Sequence, residues 1–415
     1  MDSAILQSHS SSNRRVVVQA FTVPLSLRFL NGQPAFWQKQ GYEVHILTSQ
    51  DKYLADWIAQ NQLIYSPIPF QRSVSTLGLN ELRCLFLLIR YFLKIKPLTV
   101  HGNTPKAAFL SLLAAWLTRV PVRVYEMHGL PLETAVGWRH VGWRLLEKIT
   151  CALATQTIAV SESLLNVAVE NRLVRADKIL TIHHGSCNGV DTENDFNPEK
   201  IDLKELPKIR QKWNLSVHHQ VVGFVGRLTE QKGIIELQEA WQTIKLNYPD
   251  ARLLVVGDSD SRVPLPQNLM KKLKQDPTIL LVGHVENIAN YYALMDFLVL
   301  PSHREGFGNV VIEAAAMGKA AVVSWVTGLK NAVLENKTGL FCEPKNVENL
   351  TEQILFYLDN PKIARLHGQI AQARAKHDFY PETIWQAKLR LYESLIARAR
   401  GVYLPDVSPL LQIAN

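Results

Sequence analysis

Four side chains in the second half of the chain have the types and spacing to hold a charged, hydroxyl-rich ligand. The block LPSHREGFGNVVIEAAAMGKAAVVS carries Glu305 in a loop and Glu313 eight residues later. The block VVGFVGRLTEQKGIIEL carries Arg227 directly after an apolar run and Lys232 beside Gly233. Two cations where a strand ends can hold a diphosphate and stabilise charge on a departing phosphate. Gly306 and Gly308 let a backbone approach a ligand closely. A helix starting near Val310 would offer unpaired N–H groups and a positive dipole end, which suits a phosphate. Glu313, about one turn into that helix, can accept two hydrogen bonds from a vicinal diol such as ribose. Alternatively, Glu313 is a first-turn glutamate stabilised by the helix dipole. Read singly, Arg227 and Lys232 would be solvated surface charges.

Short apolar runs position these residues. The predicted strands of the first half begin at Arg15, Glu43, Leu98, Val122, Gln156 and Ile179. Those of the second half begin at Val221, Ala251, Ile279, Phe297 and Lys319. Each is rich in β-branched residues and is followed by a helical pattern, which predicts parallel sheets covered on both faces. The pattern occurs twice, so the expectation is two doubly wound α/β domains, with ligands bound beyond the carboxyl ends of the strands. The polar, proline-punctuated stretch Asn188–Lys208 reads as a boundary. The expected organisation is a disordered tail over 1–14, a first domain over 15–195, a linker over 196–215 and a second domain over 216–385. A helix and loose tail occupy 386–415.

Composition narrows the class. At 415 residues, 47% apolar and 20% charged, the chain suits two folded domains rather than a disordered segment. Its four cysteines are too scattered for a zinc site. The apolar stretch Leu85–Val100 is interrupted by Arg90, Lys94 and Lys96 and is not read as a membrane span. The N-terminus lacks the pattern of a signal peptide. Residues 1–190 carry 19 Lys and Arg against 11 Asp and Glu, whereas residues 191–415 carry 26 against 26. The whole excess of +8 lies in the first half, which suggests an anionic partner there or is chance surface composition. The segment GWRHVGWRLLEK combines Trp138 and Trp143 with Arg139 and Arg144. It suits a lipid headgroup boundary, or else a helix packed on the core with a basic outer face. Asp258-Ser259-Asp260 resembles a metal-binding DxD motif but reads as a turn that caps or solvates its carboxylates. His183 and His184 alternate across a strand end, so they are not read as a metal pair. No GxSxG, GxxxxGK(S/T) or HExxH motif occurs.

Together the blocks resemble the family 4 glycosyltransferases of the GT-B fold, over most of the chain. The resemblance rests on the pair Glu305…Glu313 around GFGNVVI and on GRLTEQKG. VPLSLRFLNGQ (Val23 to Gln33), YEMHGLPLETAVGW (Tyr125 to Trp138) and HHGSCNGVD (His183 to Asp191) add to it. They look like a bacterial branch that builds capsular, exopolysaccharide or other lipid-linked glycans. The resemblance implies two Rossmann-like domains facing a central cleft, with a C-terminal helix crossing back to the first.

It also implies roles. Arg227 and Lys232 would bind the diphosphate, Glu305 the donor-sugar hydroxyls and Glu313 the ribose. Backbone groups of Phe307, Gly308 and Asn309, with Val310 at the helix start, would support Glu305. His128 would contact the sugar near the reacting centre; a lone histidine is more often a core residue, but its place at a strand end favours the functional reading. Gly32 would lie beside the acceptor and phosphate, and the loop at Gly283 and His284 would receive the base. The implied activity is metal-independent, retaining transfer of a hexose or N-acetylhexosamine with no cofactor. UDP-sugar donors are expected ahead of GDP-mannose, and the acceptor is a glycan, expected on a polyprenyl diphosphate. Attack would be front-face, with a covalent route through Glu305 as the alternative. The expected location is the cytoplasm, with an anionic inner membrane face as a candidate partner and no nucleic acid. An epimerase, a pyridoxal-phosphate phosphorylase and a sugar-nucleotide sensor are the competing classes.

Overall fold

A computed structural model describes residues 14–51, 54–71, 78–260, 263–402 and 411–413. The tail expected over 1–14 lies, apart from Arg14, outside the described residues. The strands are β1 (Arg15–Ala20), β2 (Tyr42–Thr48), β3 (Ile64–Pro67), β4 (Thr99–Gly102), β5 (Val122–Met127), β6 (Gln156–Ala159) and β7 (Ile179–Ile182). They continue with β8 (Gln220–Val225), β9 (Ala251–Val256), β10 (Ile279–Gly283), β11 (Phe297–Leu300), β12 (Ala320–Ser324), β13 (Gly339–Cys342) and β14 (Leu411–Ile413). Every strand expected from an apolar run is present to within a few residues. The additional strands β3 and β13 are short. β14 falls in the segment read as a loose tail and pairs antiparallel with β7.

By contacts the chain divides into two units. One gathers the described residues of Met1–Met127, Leu145–Ile158 and Trp385–Val407; the other gathers His128–Arg144, Ala159–Ile384 and Ser408–Asn415. The stretch read as a linker holds the helix Glu205–Lys212.

In the first unit β1 pairs in parallel with β2 and β4, β2 with β3, and β4 with β5. The strand order therefore reverses between β1 and β4. Val16, Val17 and Val18 of β1 are buried, as expected of a strand covered on both faces. The helix Pro381–Ala399 returns to this sheet through one face, on which Trp385, Lys388 and Tyr392 recur at helical spacing. Lys388 Nζ donates to both oxygens of Glu126 on β5, each at 2.8 Å. The pair is sealed, with side chains 1% and 2% exposed. His101 Nε2 stands 2.9 Å from Glu126 Oε2, and its Nδ1 bonds the Tyr392 hydroxyl. Burial pushes the His101 pKa down. The indole of Trp385 occupies the place where a Cβ on Gly32 would stand, and Gly32 has φ +77°. Only glycine fits there, because both the space and the backbone angle exclude a side chain.

In the second unit all five neighbouring pairs of the order β10-β9-β8-β11-β12-β13 are parallel. Here the order reverses between β8 and β11. Ligands of doubly wound sheets bind at such a switch point, beyond the carboxyl ends of the two strands. Among the described residues no helix is long and apolar enough to cross a membrane.

Candidate functional site

The loops at the β8/β11 switch point carry Arg227, Lys232 and Glu305. Arg227 is the second residue after β8, and a 3-10 turn over Glu230–Lys232 precedes the helix Ile234–Asn247. Gly233 caps that helix with φ +71°, and a Cβ there would come 2.0 Å from the carbonyl oxygen of Pro301. The glycine thus lets the Lys232 turn close against the chain leaving β11. As a result Lys232 Nζ donates to Glu305 Oε1. Ser302 Oγ donates to the same oxygen at 2.8 Å. Among the described residues no hydrogen bond falls on Glu305 Oε2, so that oxygen is open to a ligand. The pair is partly accessible, with Lys232 21% and Glu305 12% exposed at the side chain.

Arg227 is engaged too. Its Nη1 donates to Asp260 Oδ2 at 2.7 Å. Asp258 Oδ1 accepts from the backbone N–H of His284 at 3.1 Å, and Gly283 turns beside it with φ +80°. The turn Asp258-Ser259-Asp260 therefore holds the guanidinium on one side and the Gly283–His284 loop on the other. Its carboxylates do more than cap a turn. Among the described residues no three His, Cys, Asp or Glu side chains converge as a metal site would require.

The glycine loop after β11 is set by close backbone approaches. A Cβ on Gly306 would stand 2.0 Å from the His128 carbonyl oxygen, and one on Gly328 would stand 2.5 Å from Gly306. The chain at His128 and Gly129, leaving β5, thereby lies against the loop. Arg304 adds a second tie, since its Nη1 donates to the Leu130 carbonyl at 3.0 Å. With the Gln231 amide turned, Arg304 Nε and Nη2 also donate to its oxygen, at 2.9 and 2.6 Å. Ser161 Oγ donates to the Gly306 carbonyl at 2.8 Å. The Phe307 side chain is buried and meets Phe379 edge-on at 5.3 Å.

Gly308, with φ +91°, caps the helix Asn309–Ala316. Asn309 Oδ1 accepts from Ser186 Oγ at 3.4 Å. The Val310 carbonyl and Glu313 Oε2 both stand within reach of the Tyr292 hydroxyl, at 3.2 and 2.9 Å. Glu313 is the fifth residue of this helix, beyond its first turn. The dipole effect fades within that turn, so it does not explain a glutamate here, whereas an aimed carboxylate does. The structure therefore brings Arg227, Lys232, Glu305, Glu313, His128, Gly283 and His284 onto loops and a helix of one unit. Gly32 belongs to the other unit and sits against Trp385. Sequence reasoning missed Ser302, Asp260, Arg304 and Tyr292. Asp260 alone gave a signal, through the DxD pattern, and it was read as solvated.

A doubly wound second unit, with cations after one switch-point strand and a glycine-flanked glutamate after the other, defines a nucleotide-sugar-type transferase architecture. The description "Glycosyl transferases group 1" matches residues 206–375, and "Glycosyl transferase 4-like domain" matches residues 35–185. The chain is 31% identical over 381 residues to the capsular polysaccharide biosynthesis glycosyltransferase CapM of Staphylococcus aureus, covering 92% of this chain and 97% of that one. The chain belongs to this glycosyltransferase family, the family 4 enzymes of GT-B type. It is also 26% identical to the UDP-Gal:alpha-D-GlcNAc-diphosphoundecaprenol alpha-1,3-galactosyltransferase of Escherichia coli, over 77% of this chain and 81% of that one. Among solved structures, Anabaena HepE in complex with UDP and glucose superposes with a TM-score of 0.75 at 21% identity, covering 92% of this chain and 100% of that one. At that identity the likeness is one of fold. The chain is thus a glycosyltransferase built from two parallel-sheet Rossmann-like domains.

Proposed function

We propose that the protein is a retaining, metal-independent glycosyltransferase with no cofactor. It moves a hexose or N-acetylhexosamine from a UDP-sugar, ahead of GDP-mannose, to a growing lipid-linked glycan. The observation that carries this reading is the meeting of Lys232, Ser302 and Glu305 at the β8/β11 switch point, with Arg227 after the same β8. Lys232 neutralises charge on the leaving diphosphate. Arg227 exchanges Asp260 for a phosphate oxygen. Glu305 accepts a sugar hydroxyl on its open oxygen, and backbone N–H groups of Phe307, Gly308, Asn309 and Val310 meet the phosphate. Glu313, oriented by Tyr292, takes the ribose diol. Gly283 and His284, held by Asp258, border the base. His128, held beside Gly306, contacts the sugar at the reacting carbon.

In the front-face route the acceptor oxygen attacks the anomeric carbon as the bond to the diphosphate breaks, and its proton passes to a departing phosphate oxygen. The acceptor is assigned to the first half of the chain, with Gly32 beside it. One relative supports a polysaccharide product by its name, a capsular polysaccharide enzyme, and another supports a lipid-linked acceptor, acting on a diphosphoundecaprenol-linked sugar. The protein would then work in the cytoplasm at an anionic inner membrane face. The helix Trp138–Leu153 fits that face, since Trp138 is 75% exposed, with Val141 and Leu145 also outward. A thermal-shift screen across nucleotide sugars, followed by transfer assays with the stabilising donor, tests the assignment. Stabilisation by UDP-sugars with no transfer to any glycan acceptor would leave a sensor rather than a transferase.

A further inference from the structure

The helix Leu79–Ile95 in the first unit has two distinct faces. Its inner face buries Glu81, Cys84, Leu88 and Phe92. Glu81 is its only acid and pairs there with Lys106 of the helix Pro105–Leu117. The outer face is apolar where a solvated helix would be polar. Leu79, Leu82, Phe86 and Leu93 are 87%, 64%, 64% and 59% exposed. At about 100° per residue these four side chains fall in one stripe roughly 60° wide, and Arg90, Arg83 and Lys94 occupy the adjoining roughly 40°. All three cations are exposed. An apolar stripe flanked by cations and free of acids is the pattern of a helix lying in a lipid headgroup region. Packing does not account for the stripe, because the core-facing residues lie on the opposite side.

We infer that the helix Leu79–Ile95 is a lipid-contact element that lays Leu82, Phe86 and Leu93 into an anionic bilayer surface while Arg83, Arg90 and Lys94 meet its headgroups. The inference rests on the membrane-face reading above and adds a contact separate from the Trp138–Leu153 helix. Charge complementarity fixes the partner. The exposed charges of this face are all positive, and the whole net charge of +8 lies in residues 1–190. The long cationic side chains also let their stems cover apolar surface while their heads reach phosphate.

Flotation of the full chain with vesicles tests the assignment. One set holds equal parts phosphatidylglycerol and phosphatidylcholine, and the other phosphatidylcholine alone. Wild type should float with the anionic set at low salt, and far less with the neutral set or at high salt. Leu82→Ser/Phe86→Ser/Leu93→Ser should lose flotation. Arg83→Gln/Arg90→Gln/Lys94→Gln should weaken it on the order of a hundredfold, about fivefold per cation. Both variants should melt at the wild-type temperature, since every changed side chain is exposed. If both float like wild type while Trp138→Ala/Leu145→Ser does not, this helix is not the contact, although the membrane reading survives. If wild type fails to bind anionic vesicles, both membrane statements fall and glycosyl transfer is untouched. A concentration-dependent dimer abolished by the leucine variant, without vesicle binding, would assign the face to a second copy and overturn the inference.

Discussion

Each unit contains a lysine–glutamate pair, and the two pairs behave as opposites. Lys388 and Glu126 are sealed, at 1% and 2% exposure, with His101 and Tyr392 completing the cluster. Lys232 and Glu305 are partly open, at 21% and 12%, and share one oxygen with Ser302. The first pair has no route to exchange partners, so it serves the fold. The second can release its cation to an incoming phosphate, because water and ligand reach it. Burial, rather than residue type, separates a fastening from a binding site.

Breaking the sealed pair should have the largest effect. Lys388→Met leaves a buried carboxylate uncompensated and should cost roughly 3–5 kcal/mol of stability, read from chemical denaturation. A loss below that range would mean the pair is wetter than its exposure indicates. Lys232→Ala should do the reverse. Turnover should fall about 10²–10³-fold while stability changes by roughly 1 kcal/mol or less. Near-wild-type turnover would sink the role given to Lys232. Ser302→Ala removes one bond to a carboxylate and should lower turnover about tenfold, equivalent to roughly 1.5 kcal/mol. An unchanged rate with intact melting would show that Lys232 alone orients Glu305.

The smallest effect concerns pH. Burial holds the His101 pKa below its ordinary 6.5, so the folded state resists a proton that the unfolded state accepts. Stability is then fully present above about pH 6.5 and declines as pH falls toward the lowered value. His183 and His367 are pushed the same way by burial. His101→Gln should therefore flatten the decline in melting temperature between pH 6.5 and 5 without removing it. An identical slope would exclude His101 as a contributor.

Much of this was legible in the sequence, and the reasons are local. Strands such as Val221–Gly226 and Phe297–Ser302 announce themselves by unbroken apolar runs, and Arg227 and Glu305 stand at their ends. The strands β3 and β13 lack such runs, since β3 is only partly covered and β13 is a glycine-led GLFC without β-branched residues. Partners were less legible. Asp260 meets Arg227 across 33 positions, and Arg304 meets Leu130 across 174. No spacing rule reaches that far. Lys388 was unforeseen because a lysine on a helix reads as surface, and only the fold reveals the carboxylate opposite it. The same limit hid the outer stripe of Leu79–Ile95, where a run of apolar residues does not disclose which of them face inward.

The first unit's fastening also dictates a timetable. Glu126 waits for a lysine 262 positions downstream, and His101 for a tyrosine 291 positions away. At about 5–20 residues per second, a ribosome needs on the order of tens of seconds to cover that interval. Throughout it, Glu126 and His101 of the nascent first sheet have each other but not the lysine and tyrosine that complete their cluster. Loop-closure entropy must also be met before the late helix can dock. The first sheet is thus completed by a segment synthesised long after its own strands, and a chain stopped before residue 388 would leave that sheet unfinished.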